Sequence, residues 1–244
     1  MFGRKRLINI GLFVGIVGLV TMFPARVGYQ WFAPPQLVMS GISGTVWNGQ
    51  AREATVDGFY LRDLDWRLRP LQLFTAKLGF SLESRFVSGF VEGDFAVGFD
   101  SVHASDLRAT LPLEILQTAV MLPGVRGSVS ADISELRMRD GIPIAADGSL
   151  EVAGLTIPYV QRDPIGGFKA ELFTTESGIS ASIEDTSAVI DLAGSVQLAS
   201  DGAYDLSAQI GVVESTPAQL REQLRFTGPV NDRGQHEIRL AGQL

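Results

Sequence analysis

Beyond residue 36, apolar and polar residues alternate along most of the chain. In residues 203–212, Leu206, Ala208 and Ile210 alternate with Ser207 and Gln209. Successive side chains of a strand point to opposite faces of its sheet, so this pattern predicts strands with one buried face. Asp-Gly pairs separate several of these stretches: Asp57-Gly58, Asp140-Gly141, Asp147-Gly148 and Asp201-Gly202. Such pairs favour tight hairpins, and we therefore predict an antiparallel meander.

One stretch changes phase part-way. Val129, Ala131 and Ile133 share one face of the predicted strand, whereas Leu136 and Met138 continue on the other. Such a change needs a β-bulge or a tight bend, and this predicts a curved sheet.

Two short helices are predicted between the strands. The first covers 112–121, because Pro112 is favourable at the first helical position and Pro123-Gly124 ends the pattern. The second runs from Thr216 to about Leu224, with the Thr216 hydroxyl as cap and Gln219 closing a capping box. The predicted fold class is thus mainly β.

The N-terminal residues 7–23 read LINIGLFVGIVGLVTMF and carry no charge. A helix of this length covers roughly 25 Å, which is at the short limit for crossing a bilayer. We predict a single transmembrane helix, with these membrane-anchor residues: Leu7, Phe13, Val17 and Phe23.

The orientation of this helix follows from its flanks. Arg4, Lys5 and Arg6 precede it, so the positive-inside rule predicts a cytoplasmic N-terminus and an exported remainder. A cleaved secretory signal has the same basic start and apolar run, but residues 21–26 contain no A-x-A-like site, which favours a retained anchor. The aromatic residues that follow are expected at headgroup level or, alternatively, in the core: Tyr29, Trp31 and Phe32.

The predicted organisation has four parts, and their boundaries follow from these patterns. They are a cytoplasmic N-terminus at 1–6, a transmembrane helix at 7–23, a linker at 24–36 and a periplasmic β domain at 37–244. The predicted location is the inner membrane, with the bulk of the chain in the periplasm.

Composition narrows the function classes. The chain has no cysteine and two histidines, His103 and His236, which argues against a zinc centre or a Ser-His-Asp arrangement. Its formal net charge is −7, although three of the basic residues stand ahead of the apolar run. An acidic domain repels phosphate backbones, so nucleic-acid binding is not expected.

Candidate catalytic chemistry is sparse. Asp63 and Asp65 lie two apart on one predicted strand and could act as paired carboxylates, and Glu184 is a further candidate. Nearby arginines favour a solvated polar face instead. We predict no catalytic residue, no metal and no cofactor. Of the functions considered for this chain, enzymatic activity ranks last.

A spaced series of Gly, Thr and Trp positions occupies 41–70: Gly41, Gly44, Thr45, Trp47 and Gly49, followed by Trp66, Leu68 and Pro70. This series resembles protein N of bacterial type II secretion systems, a family with an L-x-G-x-x-G-T-x-W-x-G opening and a W-x-L-x-P strand end. We refer to these eight positions as the motif residues.

The resemblance implies a non-enzymatic inner-membrane component of the type II secretion pathway. It would assist the assembly or function of the machinery that exports folded proteins across the outer membrane. The implied partners are other subunits of the inner-membrane platform or the outer-membrane channel. The alternative is an AsmA-like periplasmic β-groove that binds or transfers lipid.

Overall fold

The computed structural model describes residues 12, 15, 18–56, 59–69, 78–86, 88–115, 124–224 and 230–244. These residues form fourteen strands and short helices, so the mainly β prediction is confirmed. Several predicted features lie outside the described residues: Arg4, Lys5, Arg6, Leu7, Phe13, Val17, Asp57-Gly58 and Pro70. Among the described residues, none of the helices combines the length and apolar character needed to span a membrane.

The chain divides into two compact units, Met1–Phe86 (unit 1) and Val87–Leu244 (unit 2). Unit 1 contains one helix with described bounds and five strands: α1 (Ala25–Phe32), β1 (Leu37–Ser40), β2 (Ser43–Gly44), β3 (Asn48–Val56), β4 (Phe59–Arg69) and β5 (Leu78–Phe86). The strands follow the order β1-β3-β4-β5, and β2 pairs with β3. All these pairings are antiparallel. The stretch 24–36, predicted as a linker, thus contains α1.

The core of unit 1 lies between α1 and one face of the sheet. Ala51 and Ala54 of β3 are 1% exposed, and they pack with Ala25 of α1, Ile42 and Leu64 of β4. Small side chains on β3 leave room for the helix to approach the sheet closely. This packing holds α1 over the sheet.

Unit 2 is a meander in which each strand pairs with the next one along the chain. Its elements are β6 (Gly89–Val97), β7 (Ser101–Pro112), β8 (Arg126–Arg139), β9 (Ile142–Thr156), β10 (Gly166–Thr175), β11 (Gly178–Asp185), β12 (Ile190–Ala199), β13 (Ala203–Val212), α2 (Ala218–Leu224) and β14 (His236–Gln243). Every pairing is antiparallel, which confirms the predicted topology within this unit.

Two of the Asp-Gly pairs form the predicted hairpin turns. Asp140 and Gly141 have φ of 49° and 82° and join β8 to β9, as a type I′ turn requires. Asp201-Gly202 joins β12 to β13, and the Asp201 carboxylate accepts a hydrogen bond from the Ala203 N–H.

The hairpin predicted at Asp147-Gly148 is wrong, because this pair lies inside β9. The Asp147 carboxylate accepts hydrogen bonds from the backbone N–H and the hydroxyl of Thr174, at 3.0 and 2.6 Å. Opposite it, the β8 register shifts between Ile133 and Glu135. The phase change predicted a bulge or a tight bend at this place, and the structure has a bulge.

The two predicted helices begin later than expected. Pro112 is the last residue of β7, and residues 113–115 are helical, so the start predicted at Pro112 is wrong. The second helix is α2 and begins at Ala218. Its predicted Thr216 cap is also wrong, because the Thr216 hydroxyl donates to the Val189 carbonyl and accepts from the Val213 N–H. A buried hydroxyl satisfies the backbone groups nearest to it, and here these lie outside α2.

Candidate functional site

Two of the motif residues, Thr45 and Trp47, lie where the predicted membrane segment ends. Residues 18–21 are helical, and the chain then turns at Met22. The Trp47 indole N–H donates to the Val20 carbonyl at 2.7 Å, and the Val46 N–H donates to the Phe23 carbonyl at 3.0 Å. Pro24 forms an antiparallel bridge with Thr45. We call these two facing segments, residues 20–24 and 45–47, the junction.

A tight turn gives the junction its shape. The Thr45 N–H donates to the Asn48 carbonyl at 2.9 Å, and the Asn48 N–H donates to the Thr45 hydroxyl at 3.1 Å. Gly44 precedes the turn with φ of 85°, and a Cβ there would lie 2.6 Å from the Asn48 carbonyl oxygen. Glycine at 44 and a hydroxyl at 45 are therefore what this turn requires.

The second half of the motif packs on the first. The Trp66 indole N–H donates to the Val46 carbonyl at 3.0 Å, and the Leu68 N–H donates to the Trp47 carbonyl at 2.7 Å. Gly49 pairs with Trp66 across β3 and β4, and its missing side chain makes room for the indole. The structure thus brings Gly44, Thr45, Trp47, Gly49, Trp66 and Leu68 together.

Helix α1 is attached to the same region by polar side chains. The Arg26 Nε donates to the Ile42 carbonyl at 2.7 Å, just after Gly41, which has φ of 64°. The Tyr29 hydroxyl donates to the Leu37 carbonyl and accepts from the Met39 N–H, both at 3.1 Å. Of the two positions expected for Tyr29, headgroup level or the core, the structure places it against the core. Its hydroxyl also bonds two backbone groups of β1.

Sequence reasoning missed two features of this attachment. A Cβ on Gly28 would lie 2.5 Å from Val46 Cγ2, so α1 approaches the junction closely at a glycine. The hydroxyl of Tyr29 bonds two residues of β1. The apolar spacing of α1 could have indicated its buried face, but no local signal indicates its partners.

Unit 1 contains an apolar and a polar cleft. The apolar cleft, of about 310 Å³, lies between α1 and the sheet, with Tyr29, Trp66 and Leu68 among its lining residues. The polar cleft, of about 430 Å³, is lined by residues that include Arg52, Asp63 and Asp65.

The candidate carboxylates are all solvated. Asp63 and Asp65 of β4 are exposed, and Glu184 of β11 is exposed in unit 2. The enzyme hypothesis requires a desolvated carboxylate, and these three are not desolvated. No group of three or more His, Cys, Asp or Glu in the described part of the chain could hold a metal ion.

Glu53 connects three strands of unit 1. Its carboxylate accepts hydrogen bonds from the Tyr60 hydroxyl of β4 at 2.8 Å and the Ser40 hydroxyl of β1 at 3.0 Å. The bond from Tyr60, followed by that from Ser40, holds the pKa of Glu53 below its ordinary value. The ionised Glu53 carboxylate therefore stabilises the fold at pH values above the pKa of Glu53 in the unfolded chain. This stabilisation is lost as the pH falls through the lower pKa that Glu53 has in the folded chain.

Replacing Tyr60 with phenylalanine is expected to raise the pKa of Glu53, because it removes the largest cause of the lowering. Ser40→Ala should raise the same pKa by less. NMR titration of the Glu53 carboxyl carbon measures both shifts. Equal pKa values in the parent chain and in Tyr60→Phe would contradict the assignment.

Comparison with known proteins identifies relatives of the chain. Residues 35–239 match the family model described as type II secretion system (T2SS), protein N. A type II secretion system protein N from Vibrio cholerae serotype O1 is 25% identical, over 98% of this chain and 100% of that protein. The protein N of Pectobacterium carotovorum subsp. carotovorum is 20% identical over 93% and 92%, and that of Aeromonas hydrophila is 22% identical over 86% of each chain.

No solved structure matches the chain. The relatives are named for secretion, and the lipid-groove alternative finds no support among them. The family match covers residues 45–47 of the junction and nearly all of the meander of unit 2. The chain therefore belongs to the protein N family of type II secretion systems.

Proposed function

We propose that this protein is an inner-membrane component of the type II secretion system that assists the assembly or function of the machinery exporting folded proteins across the outer membrane. A retained helix at 7–23 anchors it, with Arg4, Lys5 and Arg6 in the cytoplasm and both units in the periplasm. Family membership supports the pathway, and the charge pattern supports the orientation. The protein acts through contacts with platform or channel subunits and not through turnover.

The observation that carries this proposal is the junction. A cleaved signal peptide leaves its mature domain, so the domain does not depend on the signal for its own hydrogen bonds. Here the Val20 and Phe23 carbonyls accept hydrogen bonds from Trp47 and Val46. Cleavage after Phe23 would remove the acceptors of both bonds, and this supports a retained anchor.

A topology experiment tests the proposal. A periplasm-dependent enzymatic reporter fused after Leu244 is expected to be active, and the same fusion with a cytosol-dependent reporter is expected to be silent. The intact chain should resist carbonate extraction from inner membranes and keep its N-terminal mass. A cytosolic reporter signal, or a chain shortened at about residue 23, would overturn the proposal.

The outer edge of β14 is the surface that we propose for contact with another subunit. Backbone groups alternate in direction along a strand, and the Leu244 N–H bonds back to the Gly202 carbonyl beside β13. By this alternation the backbone N–H and C=O groups of Leu240 and Gly242 point toward β13. Those of Arg239 and Ala241 point away from it. Val230 forms a β-bridge with His236 at the start of this edge. An extended segment of a partner subunit would pair with the residues of β14 that follow His236.

Proline substitutions separate this contact from folding. Ala241→Pro removes an outward N–H and places a ring on the edge, so it should leave the thermal unfolding temperature nearly unchanged and strongly reduce secretion and cross-linking to partner subunits. Leu240→Pro removes an inward N–H and should destabilise unit 2 instead. Normal secretion by a well-folded Ala241→Pro variant would exclude this edge as the contact.

A further inference from the structure

Two tryptophans from different parts of unit 1 meet the end of the predicted membrane segment. The ring centroid of Trp31, in α1, lies 5.7 Å from that of Phe23, with the ring planes tilted by 50°. The Trp47 indole, between β2 and β3, reaches the Val20 carbonyl at 2.7 Å. The third tryptophan, Trp66, instead packs against the core of unit 1 and donates to the Val46 carbonyl.

The surface around the first of these tryptophans is apolar and open. Trp31 is 68% exposed and its neighbour Phe32 is 77% exposed, with ring centroids 6.4 Å apart. Met22, just before Phe23, is 78% exposed. Large apolar side chains grouped at one place on a surface are unfavourable in water and mark a site of contact.

The depth of this surface follows from its contacts. The headgroup layer adds about 5–8 Å on each side of a hydrocarbon core of about 30 Å. If residues 7–23 span the core, Phe23 lies at its boundary, and a ring centred 5.7 Å away falls within or beside the headgroup layer. Trp47 is hydrogen-bonded to Val20, which lies three residues before Phe23, and therefore lies at the same boundary.

We propose that Trp31 and Trp47, together with Phe32, insert into the headgroup layer of the periplasmic leaflet of the inner membrane. This inference rests on the membrane insertion in the proposed function and names a second contact with the same bilayer. Indole rings favour this layer because they have an apolar body and a polar N–H. Unit 1 is then held directly against the membrane surface.

Fluorescence quenching tests this placement. The full chain is reconstituted in vesicles of phosphatidylethanolamine and phosphatidylglycerol, with bromine atoms carried either high on the acyl chains or near their ends. Emission of the parent chain should be quenched more by the shallow bromines than by the deep ones. The variant Trp31→Phe/Trp47→Phe keeps only Trp66 and should lose most of this quenching, at least several-fold.

The outcomes distinguish the inference from the proposed function. Equal quenching of the parent chain and the double variant, or stronger quenching by deep bromines, would overturn the inference. A chain that does not float with the vesicles would overturn the proposed function as well. Circular dichroism checks that the double variant is folded. If it is not, Trp31→Phe alone decides, because Trp31 is exposed and its loss should lower the shallow quenching by a measurable fraction.

Discussion

Replacing Gly49 with alanine is expected to lower the free energy of unfolding by about 1–3 kcal/mol, the usual cost of overpacking a well-filled site. The new Cβ would collide with Cζ2 of Trp66 and lie 2.8 Å from both Trp66 Cε2 and the Thr45 carbonyl oxygen. The indole cannot retreat without losing its hydrogen bond to the Val46 carbonyl. The strain would therefore reach the junction.

Chemical denaturation of the purified full chain measures this effect. Gly18→Ala is a matched control, because a Cβ at Gly18 meets no atom of the described residues within 4 Å outside its own stretch of helix. The control should unfold like the parent chain, within about 0.5 kcal/mol. Equal stability of the two alanine variants would show that Trp66 does not depend on the absence of a side chain at position 49.

Replacing Thr216 with valine is expected to destabilise unit 2 by about 2–6 kcal/mol. Valine has nearly the same shape, but it leaves the Val189 carbonyl and the Val213 N–H without the hydroxyl that bonds both, at 2.6 and 2.9 Å. Thr216 is 4% exposed, so water does not readily replace it. An unsatisfied buried group costs about 1–3 kcal/mol, and two are left here.

Thr216→Ser separates the hydroxyl from the shape. Serine keeps both hydrogen bonds and loses only a methyl group, so its cost should be about 1 kcal/mol. Thermal or chemical unfolding of both variants provides the comparison. A serine variant as unstable as the valine variant would show that the methyl group, and not the hydroxyl, matters at this position.

Much of the fold is readable from local patterns, and two of the errors share one cause. Alternation predicts the strands, and the phase change after Ile133 locates the bulge. Asp147-Gly148 fails as a turn because the Asp147 carboxylate bonds to Thr174, a residue of the next strand. Likewise Thr216 bonds to Val189, far away in sequence. A local signal is overridden where a distant residue supplies the better partner.

The site is less readable. The resemblance identifies the positions of Thr45, Trp47 and Trp66, but it does not indicate what they contact. The bond from Trp47 to Val20 joins residues that are far apart in sequence, and it forms because the chain turns at Met22. Patterns along a strand carry no information about such an encounter.

The hydroxyl of Tyr29 also occupies backbone groups of β1 with which a strand of another chain could pair. Unpaired main-chain groups at the edge of a sheet can pair with a strand of another chain. In β1 the Leu37 carbonyl and the Met39 N–H are already occupied by one phenol. A passing chain would have to displace it before pairing could start, so this border of the protein is protected against accidental association.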